Sequence, residues 1–408
     1  MGVEIYNLVY YMNHKTEIKQ HVEQLHPETV SIYRHLHRQP ELSYHEEKTA
    51  EFICQFLDEE NIPYRSNIGG YGILAKIQGK NPSSKTIALR AEMDALPIQE
   101  ENDIPHTSVN NGIMHACGHD ANTASLLSVA KILWRMKDKF SGTILLIFQP
   151  GEEQHPGGAR LMLEDNLFDG NEPELILAQH SFLDLPSGVV GFRSGTVMAS
   201  ADEVHIVVKG KGGHAAMPHL LNDTVLAGSQ MIVSMQQVIS RRSNPFKPMV
   251  LSFGKFIAGG ATNIIPDEVF LSGTLRCMDE EERAKAKAHI FETAHAAAKA
   301  CGCTCDIEIK DGYPTVVNHS EITEKAADFA REFSGTEHVT EYPVRMTSED
   351  FGFFSQKYPV TFYRYGARGK ANSTAGNLHT STFLIDEDAL KTSVGVMSYA
   401  ALKFLGKE

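Results

Sequence analysis

The chain contains a mostly apolar run of strand length, Thr143-Ile144-Leu145-Leu146-Ile147-Phe148, which leads into Gln149-Pro150-Gly151-Glu152-Glu153. Continuous apolar runs of this length are typical of strands that are buried on both faces, as in a sheet covered by helices. The run therefore predicts a central strand of an α/β fold. It also predicts that the carboxylates of Glu152 and Glu153 lie directly after that strand.

Two further predicted strands also lead to ionisable side chains. The strand over residues 86–90 delivers Glu92 and Asp94, and the strand over residues 174–178 ends at His180. Helical patterns separate the three strands, among them an amphipathic helix predicted over residues 122–136. Because binding sites of open α/β sheets form at the carboxyl ends of the strands, we expect these side chains to converge.

A short stretch before that helix is rich in metal-binding side chains: Met114-His115-Ala116-Cys117-Gly118-His119-Asp120. Thiolate and neutral imidazole are ligands that zinc-like cations prefer, and the offset of two residues lets one loop present Cys117 and His119 to one site. A packing role for both residues remains open when this stretch is considered alone.

The length of 408 residues exceeds what one hydrophobic core usually supports, so we expect two domains. Residues 201–312 read as strand, helix, strand, strand, helix and strand, which is typical of a compact α+β unit. Residues 313–408 return to strands and helices of the first kind. We therefore predict one domain over 1–200 and 313–408, with 201–312 inserted into it.

Charge and cysteine content exclude several classes of protein. The formal net charge of −13 argues against nucleic acid or an anionic membrane surface as partner. No apolar run approaches the ~20 residues that span a bilayer, and residues 1–19 lack a secretory pattern. Six cysteines fit a reducing cytoplasm, so we expect a cytoplasmic protein. Cys301-x-Cys303-x-Cys305 is interpreted as part of a strand, because no second Cys or His pair lies nearby.

Five motifs in one order resemble a single family. They are His115-Ala116-Cys117-Gly118-His119-Asp120, Pro150-Gly151-Glu152-Glu153, Gly210-Lys211-Gly212-Gly213-His214-Ala215-Ala216-x-Pro218-His219, Ala261-Thr262-Asn263-Ile264-Ile265-Pro266 and Leu378-His379-Thr380. This series is similar to that of the di-metal amidohydrolases, which include bacterial aminoacylases, hippurate hydrolase and plant indole-acetyl-amino-acid hydrolases and are related to carboxypeptidase G. The resemblance spans roughly residues 30 to 400.

The resemblance implies a fold, a cofactor and a set of site residues. The fold is a zinc-peptidase-like α/β domain, with a mixed, mostly parallel sheet and helices on both faces, plus an inserted α+β lid and dimerisation domain. The cofactor is a pair of divalent ions, zinc first, with manganese, cobalt or nickel as alternatives. The implied metal ligands are Cys117, His119, Glu153, His180 and His379.

The same resemblance assigns roles beyond the ligands. Glu152 matches the general base, and Asp94 matches an acidic position behind the ligands. His214, Asn263 and Arg276 match substrate contacts of the inserted domain. In relatives this domain also forms the homodimer interface, where the equivalent of His214 reaches the active site of the partner subunit.

Three positions depart from the pattern of the family. Glu92 stands where many relatives have Asp, Asn377 stands where a Pro commonly precedes Leu-His, and Gly151 replaces a common Ala. None of the three removes an implied ligand, but Glu92 changes a carboxylate near the second metal.

The expected reaction is hydrolysis of N-acyl-L-amino acids, such as N-acetyl or hippurate-like conjugates. Two cations activate a water and polarise the amide carbonyl, and Glu152 carries the proton from that water to the leaving amine. His214 would hydrogen-bond the oxyanion, and Arg276 would bind the substrate carboxylate. The alternatives are a carboxypeptidase or dipeptidase of the same family, a cysteine-nucleophile hydrolase using Cys117, and a binding protein without activity.

Overall fold

The structure is a computed structural model that describes residues 2–370 and 373–406, with side chains described from residue 14 onward. The chain forms two compact units. Unit 1 comprises Met1–Gly195, Val317–Pro343 and Phe353–Glu408, and unit 2 comprises Thr196–Val316 and Val344–Gly352. The inserted domain over residues 201–312 with its lid and dimerisation roles stays a prediction.

The α-helices are, in chain order, α1 Gly2–Arg38, α2 Glu47–Glu59, α3 His119–Arg135, α4 Gly158–Glu164, α5 Thr224–Arg241, α6 Glu280–Ala300, α7 Ser320–Ser334, α8 Gly352–Ser355 and α9 Ala389–Leu405. The strands are β1 Tyr64–Ile68, β2 Gly72–Gln78, β3 Thr86–Glu92, β4 Thr143–Gln149, β5 Leu175–Pro186, β6 Val190–Phe192, β7 Gly195–Met198, β8 Asp202–Lys209, β9 Gly213–His214, β10 Met249–Ala258, β11 Ile264–Ile265, β12 Glu268–Cys277, β13 Thr304–Asp311, β14 Val316–Asn318, β15 Val339–Glu341 and β16 Val360–Arg368.

Unit 1 is built on an eight-stranded sheet with the order β1-β2-β4-β3-β5-β16-β6-β15. The pairs β4–β3, β3–β5, β5–β16 and β6–β15 are parallel, and the remaining pairs are antiparallel. Every residue of β4 is buried, so both faces of this strand are covered. The predicted α/β class with a mixed, mostly parallel sheet and helices is confirmed.

Helix α3 differs from its prediction as an amphipathic helix, because its side chains are buried all round from His119 to Leu133. Helices α1 and α9 pack against it and cover the side that was expected to face solvent. Its polar residues find partners there: the hydroxyls of Ser128 and Thr29 are 2.7 Å apart, and Lys131 Nζ donates to Glu28 at 2.8 Å.

Strand β5 is longer than predicted, so the prediction that His180 ends a strand is wrong. The strand continues to Pro186 because β16 pairs with it in parallel register, from Val360 opposite Ile176 to Gly366 opposite Phe182. His180 therefore lies inside a paired strand, which restricts the orientation of its ring more than a loop would.

Unit 2 contains a four-stranded antiparallel sheet with the order β10-β12-β8-β13. Helices α5 and α6 pack against each other and against this sheet. In β8 the side chains of Val204, Ile206 and Val208 are buried while their neighbours are more exposed, so the helices cover one face. Of the three cysteines interpreted as part of a strand, only Cys305 lies within β13.

None of the helices that the structure describes combines the length and the apolar character that crossing a membrane requires.

Candidate metal centre

The loop before α3 places Cys117 and His119 on either side of a glycine that no other residue replaces easily. Gly118 has φ 91°, and a Cβ at this position would lie 2.3 Å from Ser181 Oγ. Glycine tolerates both the left-handed backbone and the close approach. Cys117 is thereby held just outside α3, while His119 is its first residue.

His119 is oriented by Asp94, the acidic residue that follows β3. Its Nδ1–H donates to the carbonyl oxygen of Asp94 at 2.9 Å, and Nδ1 lies 3.2 Å from Asp94 Oδ1. This contact places the proton on Nδ1 and leaves Nε2 facing the cluster. Burial alone would raise the pKa of Asp94, but His119, the Ser43 hydroxyl and the Glu153 N–H outweigh it and lower this pKa to about 2.

His180 is oriented in the same manner from β5. Its Nδ1–H donates to the carbonyl oxygen of Ser181 at 2.9 Å, so Nε2 faces Cys117 Sγ at 3.6 Å. The rings of His119 and His180 are nearly perpendicular, with centroids 5.5 Å apart. Two imidazoles from different elements thus present Nε2 toward one thiol.

Glu152, Glu153 and His379 complete the cluster. Glu152 and Glu153 follow β4, with carboxylate oxygens 3.9 and 4.0 Å from His119 Nε2. His379 lies in the loop after β16, and its Nε2 is 3.2 Å from Glu153 Oε1. His379 adopts φ 62°, which is uncommon for a residue other than glycine.

The side chains of this cluster fit divalent cations. Among the described residues of unit 1, three groups have all their ligand atoms within 4.8 Å of one another: Cys117, His119 and His180; Cys117, Glu153 and His379; His119, Glu152 and Glu153. Among the described residues, the buried atom His119 Nε2 has no hydrogen-bond partner. Buried polar atoms normally have a partner, and a cation bound at His119 Nε2 would supply one. Thiolate, imidazole and carboxylate together suit zinc and similar ions.

Cys117 is a poor nucleophile in this setting. Burial, followed by the charges of Glu153 and Glu152, raises the pKa of its thiol well above the ordinary value. A catalytic cysteine needs the opposite, an electropositive site that favours thiolate. A divalent cation would stabilise the thiolate instead, which favours the ligand role.

The structure places a further carboxylate, that of Glu92, beside the cluster. Glu92 Oε1 lies 3.5 Å from His180 Nε2 and accepts from Asn122 Nδ2 at 2.5 Å, while Glu92 Oε2 accepts from Arg90. Glu92 is fully buried. Its position at the carboxyl end of β3 predicts this placement, although the family resemblance assigns it no ligand role.

The predicted substrate contacts lie in unit 2. Strand β9 pairs with β11 so that exposed His214 lies opposite Ile264, and the Ala215 N–H donates to the carbonyl oxygen of Asn263 at 3.0 Å. His214 and Asn263 are thus neighbours. Arg276, on β12, donates from Nε to Thr274 Oγ1 at 3.1 Å and from Nη1 to Ser348 Oγ at 2.8 Å.

The chain is similar to known proteins over most of its length. Residues 88–403 match the model of peptidase family M20/M25/M40. The chain is 38% identical over 307 residues to an N-acyl-L-amino acid amidohydrolase of Geobacillus stearothermophilus, covering 75% of this chain and 82% of the relative. It is 35% identical over 394 residues to thermostable carboxypeptidase 1 of Saccharolobus solfataricus, covering 96% and 99%.

Among solved structures, the chain is similar to the YXEP protein of Bacillus subtilis, a dinuclear metal-binding peptidase of the M20 family. The TM-score is 0.81 at 32% identity, covering 95% of this chain and 100% of that chain. The resemblance drawn from the five sequence motifs is confirmed.

Proposed function

The chain belongs to peptidase family M20/M25/M40 and is a hydrolase of that family, and from this premise we propose that it is a metal-dependent amidohydrolase that cleaves N-acyl-L-amino acids. The observation that carries the proposal is the cluster at the carboxyl end of the sheet, where two glutamates, two oriented imidazoles and a thiol converge. An amidohydrolase relative at 38% identity supports this choice of substrate class.

The roles of the site residues follow from their chemistry. Cys117, His119, Glu153, His180 and His379 would hold two divalent ions, with zinc as the first choice and manganese, cobalt or nickel as alternatives. Bound cations would supply Lewis-acid activation of the attacking water and of the scissile carbonyl. Glu152 would take the proton of the water and deliver it to the leaving amine, while Asp94 keeps the Nδ1 proton on His119.

Arg276, Asn263 and His214 are proposed as the substrate contacts. Among the described residues Arg276 forms no ion pair with a carboxylate. Its partial burial lowers the pKa of the guanidinium. A half-buried guanidinium that makes no ion-pair contact among the described residues suits the carboxylate of an acylated amino acid, which it can bind through two parallel hydrogen bonds. His214 is assigned to the oxyanion and Asn263 to the substrate backbone.

The test of the mechanism is Glu152→Gln. The variant should lose about 100-fold or more in kcat on N-acetyl amino acids, while its metal content stays equal to that of the wild type. Glu164→Gln, an exposed glutamate paired with Arg160, is the matched control and should keep full activity. Undiminished hydrolysis by the Glu152 variant would sink the mechanism.

A carboxypeptidase or dipeptidase is the second candidate, because a carboxypeptidase relative is 35% identical over nearly the whole chain. The two functions differ in the group that precedes the scissile bond. Rates on an N-acetyl amino acid and on the corresponding dipeptide with a free amino group separate them. We expect the acetylated compound to be the better substrate, and the reverse order would assign the peptidase function.

We also propose a homodimer that forms through the inserted domain. In unit 2, β10 is an edge strand with exposed Val250, Phe256 and Ile257, and α5 exposes Leu226 and Val233, the latter by 71%. An unpaired apolar edge of this kind favours pairing with a second copy. Light scattering of the purified protein tests the homodimer.

All six cysteines are free, which supports the proposed cytoplasmic location.

A further inference from the structure

A short segment between α1 and α2, residues 41–46, contacts the loop after β3 and the loop after β4, and we call it the clamp segment. The Ala95 N–H donates to the carbonyl oxygen of Glu41 at 2.8 Å, and Leu42 forms a parallel bridge with Ala95. The Glu41 carboxylate accepts from the Thr49 N–H at 2.8 Å at the start of α2. The start of the segment is therefore fixed both to the loop after β3 and to the first turn of α2.

The clamp segment grips the loop that carries the two glutamates, residues 150–157, which we call the glutamate loop. Tyr44 OH donates to the carbonyl oxygen of Gln154 and accepts from the Gly157 N–H at 2.9 Å. Glu46, which is fully buried, accepts from the Gly151 N–H through Oε1 at 2.7 Å. Glu46 thus holds the loop before the glutamate pair, and Tyr44 holds it after the pair.

The clamp segment reaches the glutamate pair by a third route through Asp94. Ser43 Oγ donates to Asp94 Oδ2 at 2.6 Å, and the Glu153 N–H donates to the same oxygen at 2.8 Å. One carboxylate oxygen therefore connects the clamp segment with the backbone of a proposed metal ligand.

The backbone of Tyr44 is strained, and the contacts of its side chain with the glutamate loop offset this strain. Tyr44 has φ 66°, in the left-handed region that costs a residue with a side chain about 1 kcal/mol or more. Gly151 has φ 61°, and a Cβ at this position would lie 2.3 Å from Tyr44 Cε1. The ring of Tyr44 thus occupies the space that an alanine at position 151 would need, which explains why this chain has glycine there.

We propose that Tyr44 and Glu46 are positioning residues that set the orientation of Glu152 and Glu153 by clamping the glutamate loop on both sides of the pair. The proposal rests on the proposed function, in which Glu152 is the general base and Glu153 a metal ligand. Neither Tyr44 nor Glu46 needs to touch substrate, since each acts through the backbone of the loop.

The experiment compares Tyr44→Phe, Glu46→Ala and Glu46→Gln with the wild type. It measures zinc affinity of the metal-free protein by competition with a chromophoric chelator, and kcat and KM on an N-acetyl amino acid. Loss of a group that orients metal ligands typically costs about 10-fold or more in metal affinity or activity. We expect about this loss in zinc affinity and kcat for Tyr44→Phe and Glu46→Ala, with KM changed by less than about twofold. Glu46→Gln keeps an oxygen that accepts from Gly151 and should rescue most of the loss.

A matched control is Tyr64→Phe, which removes a hydroxyl bonded to Asp58 on the surface and should change neither readout. If Tyr44→Phe and Glu46→Ala lower the melting temperature but leave zinc affinity and kcat within about twofold of the wild type, the clamp is merely structural and the proposal is wrong. If the wild type hydrolyses no acylated amino acid, the proposed function fails, while zinc affinity still tests the clamp.

Discussion

The buried imidazole of His37 provides a test of how the region behind the cluster is stabilised. His37 is 1% exposed and lies between two buried carboxylates: its Nδ1 is 2.7 Å from Asp120 Oδ2 and its Nε2 is 3.0 Å from Glu100 Oε1. Burial alone would lower the pKa of His37, but the hydrogen bonds with Asp120 and Glu100 outweigh it and raise the pKa to about 9. The folded protein therefore holds this histidine as a cation.

The perturbation is His37→Gln, which keeps a polar side chain but removes the charge. A pKa raised from 6.5 to about 9 corresponds to about 3 kcal/mol of stabilisation. Because folding takes up a proton between these two values, the contribution is complete below pH 6.5 and is lost as the pH rises through 9. The wild type should exceed the variant by about 3 kcal/mol near pH 6, and this difference should shrink to a small fraction near pH 9.5.

The assay is urea unfolding of the metal-free proteins, with excess chelator, at several pH values between these limits. His35→Gln replaces an exposed histidine on the same helix and is the control, with an expected change in the free energy of unfolding of less than about 0.5 kcal/mol at every pH. A His37 variant whose deficit stays constant between pH 6 and 9.5, or grows, would refute the assignment of a buried cation.

Two further substitutions test the packing of each unit. Gly118→Ala should destabilise unit 1 by about 2 kcal/mol or more, because Gly118 has φ 91° and an added Cβ would contact Ser181. The control Gly112→Ala, at φ 76° with open space around it, should cost only the backbone strain of about 1 kcal/mol. Thermal unfolding compares the two variants, and equal losses of stability would contradict the role of the contact with Ser181. In unit 2, Arg283→Gln should lower the free energy of unfolding by about 2 kcal/mol, because the buried Asp202 loses the hydrogen bonds of 2.6 and 2.8 Å from Arg283 and keeps only Lys287, at 3.0 Å, as a cationic partner among the described residues. Arg331→Gln removes an exposed pair with Asp328 and should change the free energy of unfolding by less than about 1 kcal/mol. A similarly small change for Arg283→Gln would show that the buried pair contributes little.

Much of the sheet of unit 1 could be predicted because its signals are local. The apolar run before Glu152 is β4, and the side chains expected at strand ends do converge, since neighbouring parallel strands end at one edge of the sheet. The resemblance of the motifs was needed to add His379, because a lone histidine in a loop carries no local signal of its partners.

The remaining features depend on contacts that are distant in sequence. The extension of β5 past His180 follows from pairing with β16, and the burial of α3 follows from coverage by α1 and α9. The role of Tyr44 depends on a positive φ and on a hydroxyl that reaches residues more than one hundred positions away.

The central claim is that the chain holds two divalent ions through Cys117, His119, Glu153, His180 and His379. Zinc titration of the metal-free protein, followed by calorimetry and elemental analysis, tests it most directly. We predict two zinc ions per chain for the wild type and for Glu152→Gln, and fewer for His180→Ala and Cys117→Ala. A wild type that binds no zinc, or a stoichiometry unaffected by the loss of His180 or Cys117, would contradict the account.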